Sequence, residues 1–217
     1  MIEPNMATML SYITTDAAVE QPALQAALKK AVDSSFNRIS IDGDQSTNDT
    51  VLALANGTVK NKPLSEDSTE WNVFFQALKK VCFELAMMIV HDGEGADKFV
   101  TVNVAGAASD GDAELAARAV ANSLLNKTAW AGTHPDWGRI MDSIGYSKAQ
   151  VDENLVSIHY DGVQAVADGM RSEIPQEELI KVVSQSDFAI NIDLHIGEGK
   201  ATVYTCNCTE EYVRINF

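Results

Sequence analysis

A threonine hydroxyl is a poor nucleophile at neutral pH unless a base lies beside it. One compact arrangement draws that base from the residue itself: a threonine at a chain N-terminus, whose α-amine takes the hydroxyl proton. The stretch Pro4-Asn5-Met6-Ala7-Thr8-Met9-Leu10 sets Thr8 after a small alanine at the head of an apolar run, with Thr14-Thr15-Asp16 close behind. Thr8 lies within the chain, so this chemistry requires that the Ala7–Thr8 bond first be broken. By spacing alone Thr8 reads as an ordinary strand residue, because Ala-Thr pairs are common and threonine suits strands.

Glu94 is the most informative carboxylate. In Asp92-Gly93-Glu94-Gly95 an acid stands between two glycines. Glycines let backbone approach a neighbour closely, and the acid suits a cationic group such as a substrate ammonium. A turn that ends a helix explains the same residues equally well. A phosphate cradle does not, since the segment lacks GxxxxGK[ST] and its acids repel phosphate. Asp42, Asp44 and Asp49 miss the alternating ligand ladder of a calcium loop and read as a solvated loop. Thr47-Asn48-Asp49 reads as an Asx-type turn. Trp137-Gly138-Arg139 offers a guanidinium to an anion, or else a packed tryptophan beside an exposed arginine. GxSxG is absent, and nothing pairs a particular cysteine with a particular histidine. His91, His134, His159 and His195 are scattered, so no metal is expected.

These residues need elements to hold them. Met9 to Thr14 reads as a strand. Pro22 opens a helix with Leu24, Ala27, Leu28, Ala31, Val32 and Ser35 on one face. Val51 to Ala55 is a second strand. Trp71 to Val90 reads as a largely buried helix, because Gln76, Lys79, Lys80 and Glu84 interrupt it too often for a bilayer. Phe99 to Val104 is a strand, followed by a helix carrying Leu115, Ala119, Val120 and Leu124, and by a short helix from Pro135 and Trp137. Asp161-Gly162 predicts a tight hairpin between Leu155–Tyr160 and Val163–Val166. Pro175 to Ser184 is helical. Gly197-Glu198-Gly199 predicts a second hairpin, between Phe188–Ile196 and Ala201–Thr205.

The chain has 217 residues, 46% of them hydrophobic, enough for one core or two small ones. A net charge of −15 argues against nucleic acid and against an anionic membrane surface as partners. Three cysteines, Cys82, Cys206 and Cys208, make no disulfide framework in a chain this long and read as reduced thiols in a cytoplasmic protein.

Five ordered segments together resemble one family. They are Met1–Leu10 with Ile13-Thr14-Thr15-Asp16, Ser35–Asp44 with Ser46-Thr47-Asn48-Asp49, Asp92–Ala96 with Lys98-Phe99, His134–Arg139, and Thr209–Asn216. The likeness is to the bifunctional glutamate/ornithine N-acetyltransferases of arginine biosynthesis and runs along nearly the whole chain. It implies self-cleavage at Ala7–Thr8 into α and β chains that stay associated. Thr8 is then the catalytic β-chain N-terminal nucleophile. It takes an acetyl group from N-acetylornithine as an ester and passes it to glutamate, with its own α-amine as base. Thr8, Glu94 and Asn216 match substrate-binding positions. No cofactor is implied. Some members accept acetyl-CoA as a substrate, which the first segment does not decide.

The resemblance further implies an αββα-type α/β fold, with mixed sheets packed between helix layers and completed by the α chain, plus a C-terminal α+β lobe. Residues 1–95 are then the nucleophile-bearing lobe and residues 96–217 the C-terminal lobe. An α2β2 heterotetramer is implied as the assembly. The family's α part, which carries a Thr-Gly oxyanion hole and a lysine just before Met1, has no counterpart in these 217 residues. The terminal Thr or Ser usual a few residues past Asn216-Phe217 has none either, and Asp97 stands where the family has threonine. A β-chain-sized piece carrying seven α-chain residues fits this pattern. Two alternatives stand beside it: an inactive truncated fragment lacking its α chain, and a self-cleaving N-terminal-nucleophile aminopeptidase.

Overall fold

The apolar run after Met9 forms strand β1 (Leu10–Thr15), and Pro22 sits in the first turn of helix α1 (Gln21–Asp33), where its missing N–H leaves nothing unsatisfied. A 3-10 turn at Phe36–Arg38 leads into the two-residue strand β2 (Ile39–Ser40). Strand β3 (Thr50–Ala55) and helix α2 (Trp71–His91) follow. The computed structural model of the protein describes residues 1–3 and 9–217. These residues form two units, Met1–Ile39 with Gly43–Ile89, and Ser40–Asp42 with Val90–Phe217. Ala7, Thr8 and the bond between them lie outside the described residues.

In the first unit β1 and β3 run parallel, in register from Leu10↔Thr50 to Thr15↔Ala55. Side chains alternate across a strand. One face therefore carries Leu10, Tyr12, Leu52 and Leu54, which are 64%, 61%, 43% and 56% exposed. Parallel strands are ordinarily covered on both faces, so this bare apolar face is unusual. Helix α1 buries Ala23, Ala27, Leu28 and Ala31, close to the stripe its spacing predicts. Helix α2 departs from expectation. It buries the i, i+4 stripe Leu78, Cys82 and Ala86 together with Met87, but Val73, Val81 and Met88 face outward. An apolar helix is buried all round only when neighbours cover every side, and this one is covered along one stripe. No helix of the described residues is long and apolar enough to cross a membrane.

The second unit is built on strands β4 (Phe99–Ala107), β5 (Ser157–Tyr160), β6 (Val163–Ala167), β7 (Met170–Arg171), β8 (Asp187–Asp193) and β9 (Gly199–Cys206). The sheet order is β2-β9-β4-β8-β5-β6-β7, with β4 parallel to β8 and antiparallel to β9. Helices α3 (Asp110–Asn122), α4 (Leu124–Ala131), α5 (Trp137–Tyr146), α6 (Gln176–Val183) and α7 (Glu210–Ile215) complete it. One core gathers Val100, Val102 and Val104 of β4 with Ile190 and Ile192 of β8, and Ile140 and Ile144 of α5. The opposite sheet face is polar. Asn103 Nδ2 donates to Asn191 Oδ1 at 2.9 Å, and Thr202 Oγ1 donates to Asn103 Oδ1 at 2.7 Å. The chain is thus mixed α/β, as the sequence predicts.

Three local expectations meet the structure differently. The Asp161-Gly162 hairpin forms as predicted, with β5 and β6 antiparallel and Asp161 at φ 48°. The Gly197-Glu198-Gly199 hairpin does not form, because β4 lies between β8 and β9. The glycines instead let the connection cross close over the end of β4. A Cβ on Gly197 would meet Ala107 O at 2.6 Å, and one on Gly199 would meet Ser109 C at 2.2 Å. The helix expected to carry Leu115, Ala119, Val120 and Leu124 breaks at Ser123. That residue ends α3 and caps α4, its side chain accepting from Asn126 N. Leu115 and Leu124 are exposed, and α3 buries Ala113, Ala116, Ala117, Val120 and Ala121. Small side chains let the helix lie close on the sheet, so size outranks hydrophobicity on this face.

Replacing Gly199 with alanine forces backbone apart at the β4–α3 corner. Gly199→Ala is expected to destabilise the protein by about 3 kcal/mol, the upper range for overpacking. A urea midpoint that falls with an unchanged slope checks this.

Candidate functional site

Glu94 lies in the loop that follows α2, and the glycines beside it have separate duties. Gly95 has φ 67°, and a Cβ there would stand 2.7 Å from Tyr212 N and 2.8 Å from Glu211 Cβ. The loop therefore packs its backbone against the start of α7. Gly93 lies over β9, where a Cβ would meet Cys206 Sγ at 3.1 Å. Thr209 ties the two segments together. Its hydroxyl donates to Gly95 O at 2.6 Å and accepts from Glu211 N at 3.2 Å as the N-cap of α7.

That geometry brings the two ends of the site into contact. Asn216, at the C-cap of α7, donates through Nδ2 to Glu94 Oε2 at 2.6 Å and to Tyr212 O at 2.9 Å. Tyr212 in turn donates its hydroxyl to Asp42 Oδ2 at 3.2 Å. Two carboxylates, an amide and a phenol thus meet around α7, with Glu94 and Asn216 both exposed. Such a set suits the ammonium of an amino acid, for which carboxylates are charge-assisted acceptors. The sequence singles out Glu94 and Asn216. It does not single out Tyr212 or Asp42, whose pairing spans 170 positions.

The loop is held from beneath. Asn207, buried after β9, accepts from the amides of Asp97 and Lys98, both at 3.1 Å, and donates to Asp97 Oδ1 at 2.5 Å. Asp97, the departure from the family pattern, is accommodated by this exchange. Lys98 is buried and donates to Thr133 Oγ1 and to Val183 O. Burial lowers its pKa, against the Asp97 charge that raises it. Lys127 is also buried, donating to Thr205 Oγ1 at 2.5 Å and Cys206 O at 2.8 Å. These amines serve packing rather than solvent-facing recognition.

Arg139 is likewise committed internally. Its guanidinium bonds Asp136 Oδ2 at 3.0 Å and donates to Leu125 O at 2.7 Å, while Asp136 caps α5. Trp137 packs against the core. The His134–Arg139 segment therefore works here as a helix start.

In the first unit Asp49 reaches back to the beginning of β1. Met9 N donates to Asp49 Oδ1 at 2.6 Å, across 40 residues. The Asx-turn reading of Thr47-Asn48-Asp49 misses this contact, and no local signal announces it.

Comparison with known proteins fits this geometry. The profile of the ArgJ family matches residues 1–217. The "Arginine biosynthesis bifunctional protein ArgJ" of Syntrophotalea carbinolica is 50% identical over 217 residues, all of this chain and 55% of that relative. The protein of the same name from Oceanobacillus iheyensis is 47% identical over 216 residues, 53% of its length. The chain thus spans about half the length of the curated relatives it matches. The crystal structure of arginine biosynthesis bifunctional protein argJ from Bacillus halodurans superposes with a TM-score of 0.92 at 39% identity, covering 96% of this chain and 99% of that one. A profile match along the whole chain and relatives about half identical over all of it establish that the chain belongs to the ArgJ family.

Proposed function

We propose that this chain is the acyl-carrying half of an acetyltransferase of arginine biosynthesis, moving an acetyl group from N-acetylornithine to glutamate. The observation that carries the reading is the Asn216–Glu94 hydrogen bond. It unites two family substrate positions, 122 residues apart, in one exposed acidic site that suits an amino-acid ammonium. Family membership along all 217 residues supplies the reaction.

Thr8 is the nucleophile once the Ala7–Thr8 bond is cut. Its Oγ attacks the acetyl carbonyl carbon of N-acetylornithine, and its proton passes to the α-amine. The tetrahedral oxyanion collapses, the C–N bond breaks, and ornithine leaves with that proton. The neutral α-amine of glutamate then attacks the acetyl-threonine ester. Thr8 Oγ departs and regains a proton, leaving N-acetylglutamate. Ornithine and N-acetylglutamate therefore appear in equal amounts, with no cofactor consumed. Acetyl-CoA can enter at the first step as a thioester donor.

The partner in this reading is the upstream half that the relatives carry. The bare face of β1 and β3 supports it: Leu10, Tyr12, Leu52 and Leu54 lie side by side on two parallel strands. A contiguous apolar patch of that kind marks an interaction surface.

The test is an assay of the chain joined to, or co-expressed with, its upstream half. Glutamate-dependent release of ornithine is expected. Hydrolysis of peptide amides without glutamate-dependent transfer would replace this reading with an aminopeptidase. Within the active complex, Glu94→Gln removes the charge while preserving shape. It is expected to lower kcat/KM for the amino-acid substrates by roughly 10–100-fold, mainly through KM, as for loss of a charged hydrogen bond. Unchanged kinetics would remove Glu94 from the site.

A further inference from the structure

Helix α7 leads directly into Asn216, yet it buries none of its own residues. Val213 and Ile215 are exposed, as is Phe217 just beyond it. Its ion pairs, Arg214 with Glu211 and Glu210, lie within the helix and do not anchor it. A segment without buried apolar contacts opens easily, and a helix of six residues is too short to hold itself. The seat of α7 is therefore set by polar contacts.

Those contacts stand at its start, middle and end. The Thr209 hydroxyl donates to Gly95 O at 2.6 Å, and Asn216 Nδ2 donates to Glu94 Oε2 at 2.6 Å. Both meet one loop, and two contacts on one loop leave the helix free to turn about them. Between them Tyr212 donates its hydroxyl to Asp42 Oδ2 at 3.2 Å, on a segment 170 positions away. That third contact removes the freedom to turn. The link to Asn216 is direct, because Tyr212 O accepts from Asn216 Nδ2 at 2.9 Å and from Asn216 N at 3.2 Å.

We propose that Asp42 and Tyr212 are positioning residues: their hydrogen bond seats α7 and so holds the Asn216 amide at the Glu94 carboxylate. The assignment rests on the reading of Glu94 and Asn216 as the amino-acid site. Asp42 and Tyr212 are half-buried, whereas Glu94 and Asn216 are exposed. Substrate meets the exposed pair, and the half-buried pair acts through it. When α7 leaves its seat, Glu94 keeps its charge but loses the amide beside it. Apparent affinity then falls with the fraction of molecules in which α7 is seated. Bound substrate reseats the helix, so the chemical step keeps its rate.

The experiment uses the complex with the upstream half. Tyr212→Phe deletes the hydroxyl and keeps the ring. It is expected to raise KM for the amino-acid substrates about fivefold with little change in kcat. Hydrogen exchange of the α7 peptide is expected to quicken about tenfold, as for loss of one hydrogen bond to a charged group. Asp42→Ala is expected to match Tyr212→Phe. Asp42→Asn keeps an oxygen for the phenol and is expected to restore KM to within about twofold of wild type. On an Asn216→Ala background nothing is left to seat, so Tyr212→Phe is expected to add less than about twofold.

Unchanged KM or unchanged exchange in Tyr212→Phe overturns the assignment, as does an equal effect on the Asn216→Ala background. Asp42→Asn as damaging as Asp42→Ala also overturns it, since the Asp42 charge then acts on substrate itself. In each of these cases the Glu94–Asn216 site stands. Glu94→Gln and Asn216→Ala both without kinetic effect overturn that site and this assignment with it.

Discussion

Thr8→Ala, in the chain with its upstream half, is expected to leave a single uncleaved polypeptide and to reduce acetyl transfer by about 10⁴-fold or more. Losses of that size follow removal of a covalent nucleophile, because the remaining groups act only in concert with it. Two effects coincide at this residue. In the proposed mechanism the hydroxyl is the attacking group for transfer, and cleavage at its own amide creates the amine that serves as base. Thr8→Ser retains the hydroxyl and is expected to cleave and turn over, more slowly. SDS gels and intact mass read the cleavage, and ornithine release reads the transfer. A fully active Thr8→Ala would remove Thr8 from the mechanism.

The second large effect concerns the proposed upstream half. The 217-residue chain by itself is expected to transfer acetyl groups at least 10²–10³-fold more slowly than the reconstituted complex, roughly the effect of losing one oxyanion donor. In the proposed reading the oxyanion donors come from the upstream half, as the family resemblance implies. The bare apolar face formed by Leu10, Tyr12, Leu52 and Leu54 offers a surface for that half to cover. Adding the upstream half should restore transfer in proportion to complex formed, read by size-exclusion chromatography beside the assay. Full-rate transfer by the chain alone would contradict this.

Local chemistry made some elements readable and left others hidden. Asp161-Gly162 announces its hairpin because a two-residue turn is specified by the turn residues themselves. Gly197-Glu198-Gly199 carries a similar signal, yet β4 takes the place between its flanking strands. Nothing near those glycines reports a partner that enters from 90 residues earlier. The single helix expected through Leu115 and Leu124 is two, and α3 buries its alanines while Leu115 is exposed, for a related reason. The closeness of a helix to a sheet is a tertiary property, and it selects Ala113, Ala116 and Ala117.

The site divides in the same way. Family resemblance alone marks Thr8, Glu94 and Asn216, whereas spacing reads Thr8 as a strand residue and Glu94 equally as a turn; the structure joins Glu94 to Asn216, and Thr8 lies outside the described residues. Asp42 and Asp49 were hidden in a polar loop, since the contacts that distinguish them, to Tyr212 and to Met9, are formed only by folding.

The central claim is that Thr8 carries the acetyl group. Its most direct test is to mix the reconstituted complex with N-acetylornithine in the absence of glutamate, quench in acid, and sequence the peptides by mass spectrometry. One acetyl group on the peptide that begins at Thr8, lost again when glutamate is added, is the predicted result. An unmodified Thr8 peptide from an enzyme that still makes N-acetylglutamate would contradict the account.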